Sequence, residues 1–408
     1  MSGFRFYILF LLSALFSSCV KEKVILPVKP DVIAKGDTAR KTLLVYMMAE
    51  NSLNNYAAKD VLEIAKAATD IPRDCRLFVY VDDDSFPALY HYFSLTNDDA
   101  GSSVFHIFQS DVCSSDTMVL GKVLDYILTD YPTESLDLVL WSHGDGWLRQ
   151  PANAAQQRTI GIDNGQNNLS NKPIKSIEIE ELAALLGRLP VKVERLMFDA
   201  CFMQCVESAY ALRSVAEWII ASPAEIPGDG APYEIVVPAF FSFDGPYEII
   251  DLYIRSYEGN PYGGAVLSAV RCEALDRLAD VTYYYVNKYF DVDSSRDYVD
   301  VFSYLPGGKY TGSKKYPCYY DVNAIMAKYL TPDEYEDWRK ALDGVVAYVV
   351  SSPAWYSSVR GRSVVYDASV ACGLSLYMPR RSSYNDLFNA YFRTTEWYTA
   401  AGWQIAGW

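Results

Sequence analysis

Two residues carry the chemistry that this sequence offers, a cysteine and a histidine, each placed where an apolar run stops. Arg195 to Phe198 reads as the end of a strand, and Asp199, Ala200 and Cys201 leave it at its carboxyl end. Open α/β sheets bind ligands outside the carboxyl ends of their strands. Phe202 to Arg213 then reads as a helix, whose positive N-terminal end would favour a thiolate at Cys201 and lower its pKa. Such a nucleophile needs an acid–base partner, and the chain holds three histidines, His91, His106 and His143. His91 and His106 sit in alternating aromatic runs (LYHYF, VFHIF) that read as strands. His143 follows Leu136 to Trp141, a short apolar run with the pattern of a buried strand. The chain continues Gly144-Asp145-Gly146, where glycines let a backbone approach closely. Two strand ends separated by a helical segment can be neighbours in a parallel sheet, so His143 and Cys201 form a candidate dyad. Most lone cysteines are core residues; the matching strand-end positions set this pair apart.

The segments HGDGW, FDACFMQCVESAYALR and ASPAEIPGDGAPY resemble the clostripain family of cysteine endopeptidases, and the resemblance runs roughly from Thr42 to the C-terminus. The family pattern is a strand ending in His-Gly, then a strand ending in Asp-x-Cys. Here those are His143-Gly144 and Asp199-Ala200-Cys201. Ala231 in GAPY departs from the tryptophan that relatives often carry, which bears on pocket shape. The resemblance implies a caspase-like α/β fold, a mostly parallel sheet with helices on both faces. It implies a cysteine endopeptidase in which Cys201 attacks the scissile carbonyl and His143 gives a proton to the leaving amine. The backbone N–H groups of Gly144 and Cys201 would form the oxyanion hole. Cleavage after Arg, and less well after Lys, is the implied preference.

Asp199 bears on that preference. If the chain is still extended there, side chains two apart point the same way, and Asp199 would sit near Cys201. Its carboxylate would face a pocket that a guanidinium fills bidentately. The alternative is that Asp199 caps the helix beginning near Phe202. Asp229 is a second pocket candidate. The polar stretch from Trp147 to Ile177 would be cut by the enzyme itself after one of Arg149, Arg158, Lys172 or Lys175, the alternative being a surface insertion that stays intact. No cofactor is required, and calcium, which some relatives need, is left open. The run Asp82-Asp83-Asp84 at a strand end is its candidate place, with a solvated turn as the other reading because no EF-hand spacing surrounds it.

The elements that must position these residues alternate β-α-β. A strand begins at Thr42, a helix spans Asn54 to Ala68, and a strand spans Arg76 to Val81. Pro87 to Phe108 reads as a hairpin on the sheet edge and Asp116 to Thr129 as a helix. The His143 strand, a helix from Ile179 to Gly187, the Cys201 strand and a short strand from Trp218 to Ser222 follow. This alternation implies a parallel sheet covered on both faces, with residues 42–240 as the catalytic domain. Beyond Phe240, helices at Pro246 to Tyr257 and Cys272 to Tyr289 lead to two strand-like runs within Val364 to Met378, read as a hairpin. Leu387 to Trp403 is a closing helix. This α+β portion, 241–408, is expected to pack on the catalytic sheet.

The chain has 408 residues, 50% of them hydrophobic and 21% charged, enough apolar content for a large core. A net charge of −15 argues against nucleic acid as a partner. It suits a cationic substrate, with solubility as the plainer reason. Met1 to Cys19 reads as a targeting segment: Arg5, an apolar stretch from Phe6 to Phe16, then Ser17-Ser18-Cys19, which resembles a bacterial lipobox with Cys19 as the lipidated residue. Phe16 stands where Leu is usual, and an ordinary secretory signal is the alternative. Residues 20–41 form a proline-bearing tether. The expected location is the bacterial cell envelope, with membrane contact through the lipid only and with Arg- or Lys-bearing proteins or peptides as substrates. The eight cysteines show no disulfide framework. Cys201 and Cys205 lack the partners a metal site needs, no HExxH occurs, and no metal ligands are assigned. The rival reading is a catalytically inactive lipoprotein on the same fold that binds protein or glycan through its tyrosine-rich half.

Overall fold

The structure, a computed structural model, describes residues 33–85, 87–96, 99–148, 159–165, 176–242, 245–260, 263–294, 298, 300–305, 319–358, 361–381 and 385–408. The targeting segment with Cys19, most of the tether, and the processing candidates Arg149, Arg158, Lys172 and Lys175 lie outside the described residues. In chain order the elements are β1 (Lys41–Met48), α1 (Asn54–Ala67), β2 (Cys75–Asp82), β3 (Ala88–Thr96), β4 (Asp99–Phe105), α2 (Thr117–Asp130), β5 (Leu136–Trp141), α3 (Ile179–Leu186), β6 (Val193–Asp199), α4 (Val206–Leu212) and β7 (Ala216–Ala221). They continue as α5 (Tyr233–Phe240), α6 (Tyr247–Arg255), β8 (Val266–Arg271), α7 (Leu275–Tyr289), β9 (Tyr320–Asp321), α8 (Val322–Tyr329) and α9 (Pro332–Val345). The last are β10 (Val346–Ser351), β11 (Ala354–Ser357), β12 (Arg362–Val365), β13 (Ser375–Leu376), α10 (Asp386–Phe392) and α11 (Glu396–Ala400).

Unbroken apolar runs become the centre of the sheet, because a strand covered on both faces has no use for alternation. β1, β2 and β5 are buried at every residue. The sheet has nine strands in the order β10-β8-β7-β6-β5-β1-β2-β3-β4. The central strands β2, β1, β5, β6 and β7 run parallel, and the edges are antiparallel. Leu44, Tyr46 and Met48 of β1 face a core shared with α2, α3, α4 and α7. Leu43, Val45 and Met47 face a second core built with α1, α5 and α6. On α1 the buried positions Ala57, Asp60, Ile64 and Ala67 recur at helical spacing.

Three local expectations are corrected. The two strand-like runs in 364–378 do not pair with each other: β12 pairs with β11, and β13 pairs with β9. The closing helix is broken into α10 and α11, with Thr395 capping the second through Tyr398 N–H at 3.2 Å. The helix after Cys201 starts at Val206, not Phe202. In addition, residues beyond 240 do more than cover the sheet, since β8 and β10 are two of its strands.

One buried ion pair ties the sheet to the helix that serves the site. Arg195 on β6 is register-paired with Asp137 on β5. Its Nη2 lies 2.5 Å from Asp137 Oδ2 and its Nε 3.1 Å from Oδ1, with both side chains at most 1% exposed. The guanidinium also donates to the Phe240 carbonyl at the end of α5 and to Gly245 O at 3.1 Å, a cation at the negative end of a helix. Asp137→Ala leaves that guanidinium buried without its carboxylate and should cost about 3–5 kcal/mol, read as a lower midpoint in urea. In the double variant Asp137→Ala/Arg195→Met the loss should be smaller than for Asp137→Ala alone. Additive losses would show that the two side chains act independently.

Candidate functional site

The register of β5 against β6 ends at Trp141 opposite Asp199. His143 and Cys201 each lie two residues beyond that pair, on adjacent strand ends. Glycines bring the two loops into contact. A Cβ on Gly144 would meet Cys201 O at 2.9 Å, Met203 Sδ at 2.9 Å and Ala200 Cβ at 3.0 Å. Gly146 has φ +62°, and a Cβ there would meet Phe202 O at 2.8 Å. These contacts account for the HGDG spacing. Among the described residues neither the Gly144 nor the Cys201 N–H donates to a backbone carbonyl.

After Cys201 the chain does not coil, because its backbone bonds go elsewhere. Phe202 N–H donates to Ala224 O and Gln204 N–H to Ser222 O, both at 2.9 Å. The Gln204 side chain donates to Ser268 O at 2.9 Å. Phe202 is held at φ +60°, a strained conformation for a bulky residue. Its ring stacks on Tyr319 at 4.3 Å, and the Tyr319 hydroxyl donates to Asp145 O at 2.8 Å. α4 therefore does not begin at Cys201, and the lowering of its pKa expected from that helix end does not apply. Burial pushes the thiol up to about 12. The Ile226 N–H, 3.4 Å from Sγ, opposes this, while the charges of Glu225, Asp145 and Asp199 add to it.

Cys201, His143, Asp199 and Asp229 all line one cavity of about 420 Å³. His143 Nε2 is hydrogen-bonded to the exposed Ser52 hydroxyl at 2.9 Å. Asn51 braces the same corner, donating to Met48 O at 2.8 Å and Ile162 O at 2.7 Å. Asp199 is buried. Its Oδ2 accepts from Ala231 N–H at 3.0 Å and from the Tyr233 hydroxyl at 2.9 Å, and its Oδ1 from the Tyr253 hydroxyl at 3.1 Å. Burial raises its pKa, and these three donors work against the rise. It caps no helix: α4 begins after Cys205 with no side-chain cap. Behind it, Asp60 accepts from Trp141 Nε1 at 2.9 Å, and burial plus the Asp199 charge push its carboxyl up to about 9. Asp229 sits exposed at the rim, ion-paired with Lys59 at 3.1 Å. Ala231, fully buried, contributes its backbone to Asp199.

Sequence reasoning missed several residues of the site. Leu53 lines the cavity and Ser52 meets His143; both follow the β1 strand end, and the strand-end rule that singled out His143 would have found them. Tyr356 and Ser358 come from the β11 end, more than 150 residues after Cys201 in the chain, and carry no local signal. Glu225 beside the cavity accepts from the Ser357 hydroxyl and, at 2.6 Å, from the Ser358 hydroxyl. The other histidines lie elsewhere: His91 stacks on Phe78 at 4.5 Å, and burial lowers its pKa to about 4. His106 is exposed just past β4. Cys205 is a buried core residue, and none of the described cysteines is bridged. The Asp82-Asp83-Asp84 run does not act as a unit, since Asp82 is fully buried at the end of β2 while Asp83 closes a turn onto Ser85 N–H at 2.8 Å. No described helix is long and apolar enough to cross a membrane.

Known proteins share this family and fold. A model of the clostripain family matches residues 45–408. Clostripain from Hathewaya histolytica is 25% identical over 250 residues, which is 55% of this chain and 47% of the relative. The chain therefore spans about half the length of that curated relative. A secreted C11 cysteine protease from Bacteroides thetaiotaomicron, solved with an irreversible peptide inhibitor, is similar with a TM-score of 0.76 and 27% identity, over 90% of this chain and 100% of the other. An inactive zymogen C11 protease from Parabacteroides distasonis shares the fold with a TM-score of 0.72 and 24% identity, over 90% and 99%.

The raised thiol pKa has a measurable consequence. Alkylators react with the thiolate, whose fraction rises about tenfold per pH unit below the pKa. Labelling of Cys201 by iodoacetamide should therefore be slow at pH 7 and climb about tenfold per unit to pH 9, followed by peptide mass spectrometry. A rate that is flat from pH 5 to pH 8 would mean that the thiolate is already formed.

Proposed function

The chain belongs to the clostripain family, and from that premise we propose that it is a cysteine endopeptidase that cuts after basic residues, arginine before lysine. One observation carries the reading. His143 and Cys201 each follow the paired Trp141 and Asp199 by two residues, and both line the cavity that Asp199 also lines, which supports a dyad. As Cys201 Sγ bonds to the scissile carbonyl carbon, His143 takes the thiol proton. The same proton passes to the leaving nitrogen as the C–N bond breaks, giving a thioester. Water, deprotonated by His143, then splits the thioester and the thiol regains its proton. The N–H groups of Gly144 and Cys201 receive the negative oxygen at each stage. A thiol that stays protonated at rest suits this order, with deprotonation coupled to attack.

Asp199 supports the basic preference. Its three donors hold the carboxylate rigid at the cavity wall, and a carboxylate retains acceptor positions for a guanidinium. Asp229 at the rim is the second acid a cationic side chain would meet. Self-activation by cutting after Arg149, Arg158, Lys172 or Lys175 belongs to the same reading. So does residence in the bacterial envelope through lipidation at Cys19, which follows from the lipobox-like run before it.

Cys201→Ala and His143→Ala should each abolish cleavage of peptide amides while leaving the far-ultraviolet circular dichroism unchanged. Substantial turnover by Cys201→Ala would overturn the assignment. Intact-mass spectra should show cuts within 147–177 in the wild type and none in Cys201→Ala. Equal cutting in both would make the processing another protease's work.

Asp199→Asn should lose cleavage after Arg by about a hundredfold, the effect of removing a charged partner worth about 2–3 kcal/mol. Because the buried carboxylate also serves three donors, the same change should lower stability by about 1–2 kcal/mol. A wild-type enzyme that cuts equally well after Leu or Glu would refute the basic pocket.

A further inference from the structure

The buried stripe of α1 runs Ala57, Asp60, Ile64 and Ala67, and a carboxyl is out of place among such neighbours unless something pairs with it. Asp60 is fully buried. Its Oδ2 accepts from Trp141 Nε1 at 2.9 Å, and among the described residues its Oδ1 has no hydrogen-bond partner. An indole N–H needs only a neutral acceptor, which an amide or a hydroxyl would supply. A buried carboxyl with one oxygen left unmet is a costly substitute. The bond to Trp141 alone does not account for an acid at this position.

The neighbours of Asp60 suggest the second use. Trp141 ends β5, is register-paired with Asp199 and lines the cavity with it. Both side chains lie on the same face of the sheet: Trp141 belongs to the second core, and Asp199 takes its hydroxyl donors from α5 and α6, which build that core. Asp60 approaches on this face from α1. The ionisable groups around it are Lys59 and Glu63 on α1, Asp199 on β6, Tyr233 on α5 and Tyr257 just past α6. The Lys59 ammonium is turned to Glu63 at 3.6 Å and to Asp229 at 3.1 Å. Three donors favour the charged form of Asp199, and a single indole N–H does so for Asp60. Burial and the Asp199 charge push the Asp60 carboxyl up to about 9, so at pH 7 it keeps its proton.

We propose that Asp60 is a positioning residue of the basic pocket, fixing the Trp141 indole as a wall and standing behind Asp199 as a second acid that ionises when a cationic side chain enters. This role rests on the basic-pocket reading given above. A guanidinium at Asp199 offsets the charge that holds the proton on Asp60. That proton leaves to solvent, and the cation then meets the field of two carboxylates in place of one. The substrate loses no proton. An uncharged side chain of the same shape brings no such release. As pH rises toward 9 the proton leaves with less help, so the preference for a charged over a neutral side chain grows with pH.

The test uses the wild-type enzyme, Asp60→Ala and Asp60→Asn, with two peptide coumarylamides that end in arginine or in citrulline, its uncharged isostere. Titration of the thiol and of His143 is common to both substrates and cancels in the ratio of their kcat/KM values. That arginine-to-citrulline ratio should climb about tenfold from pH 7 to pH 9.5 in the wild type and stay flat in Asp60→Asn. At pH 7, Asp60→Ala should raise KM for the arginine peptide about tenfold, more than it lowers kcat. Asp60→Asn still offers the indole an oxygen and should recover most of that loss, and it serves as the informative variant if Asp60→Ala does not fold. A folded Asp60→Ala with a lower Tm and an unaltered KM would overturn the wall. Equal pH dependence of the ratio in wild type and Asp60→Asn would overturn the second acid. Both of those results leave the basic pocket standing, whereas a wild-type enzyme that does not prefer arginine to citrulline would overturn the pocket and this role together.

Discussion

Gly144 has room for a hydrogen and nothing larger, and the rest of the site depends on that contact. Its Cα lies against Cys201 O, Met203 and Ala200, so two strand-end loops pack backbone to backbone. Parallel pairing of β5 with β6 supplies the level at which they meet. Any side chain at 144 would push the His143 loop from the Cys201 loop by several tenths of an ångström or more. A displacement of about an ångström costs a positioned reaction on the order of a hundredfold. Gly146 repeats the device against Phe202, whose own strained backbone is locked by the Tyr319 stack and by Ala224. The turn after the cysteine is thus over-determined from both sides.

Several acids in this part of the molecule are buried, and the fold handles each one differently. Asp199 is given three donors, Asp60 one indole N–H, and Glu225 two serine hydroxyls. Asp82 is given no comparable set. Carboxylates near the cavity have opposing effects. They would attract a cationic side chain entering the cavity, and they raise the cost of a thiolate at Cys201. Burial and these charges favour the protonated thiol, so in the proposed reaction activation would fall to His143 and the substrate. Ser52 holds that imidazole through its Nε2, and Asn51 ties the same corner to β1 and to segment 159–165.

Residues beyond 240 are structural partners of the site as well as of the sheet. α6 supplies Tyr253 to Asp199, and the β11 end supplies Tyr356 and Ser358 to the cavity wall. α5, clamped by the Arg195 guanidinium, supplies Tyr233. The pair Arg195–Asp137 therefore stabilises the sheet and, through α5, the orientation of the acid that faces the cavity. In the proposed reading, stability and specificity share side chains here, so a change at Asp199 would be felt in both.

What the sequence determined by itself was the frame. Apolar runs bounded by charge and glycine mark β1, β2, β5 and β6, because burial on both faces leaves a continuous signature. Placing His143 and Cys201 at the ends of two such runs was enough to single them out from three histidines and eight cysteines. What only the tertiary structure decided were the partners. Helix periodicity from Phe202 onward was real, yet coiling was deferred to Val206 because loop 222–224, some twenty residues away, takes the backbone bonds of Phe202 and Gln204. The donors to Asp199 lie 32, 34 and 54 residues from it. The two strand-like runs in 364–378 found separate partners for the same reason. Local pattern reports how much of a segment is buried, whereas the groups that satisfy a buried polar atom are brought to it by the fold, from positions that no local pattern marks.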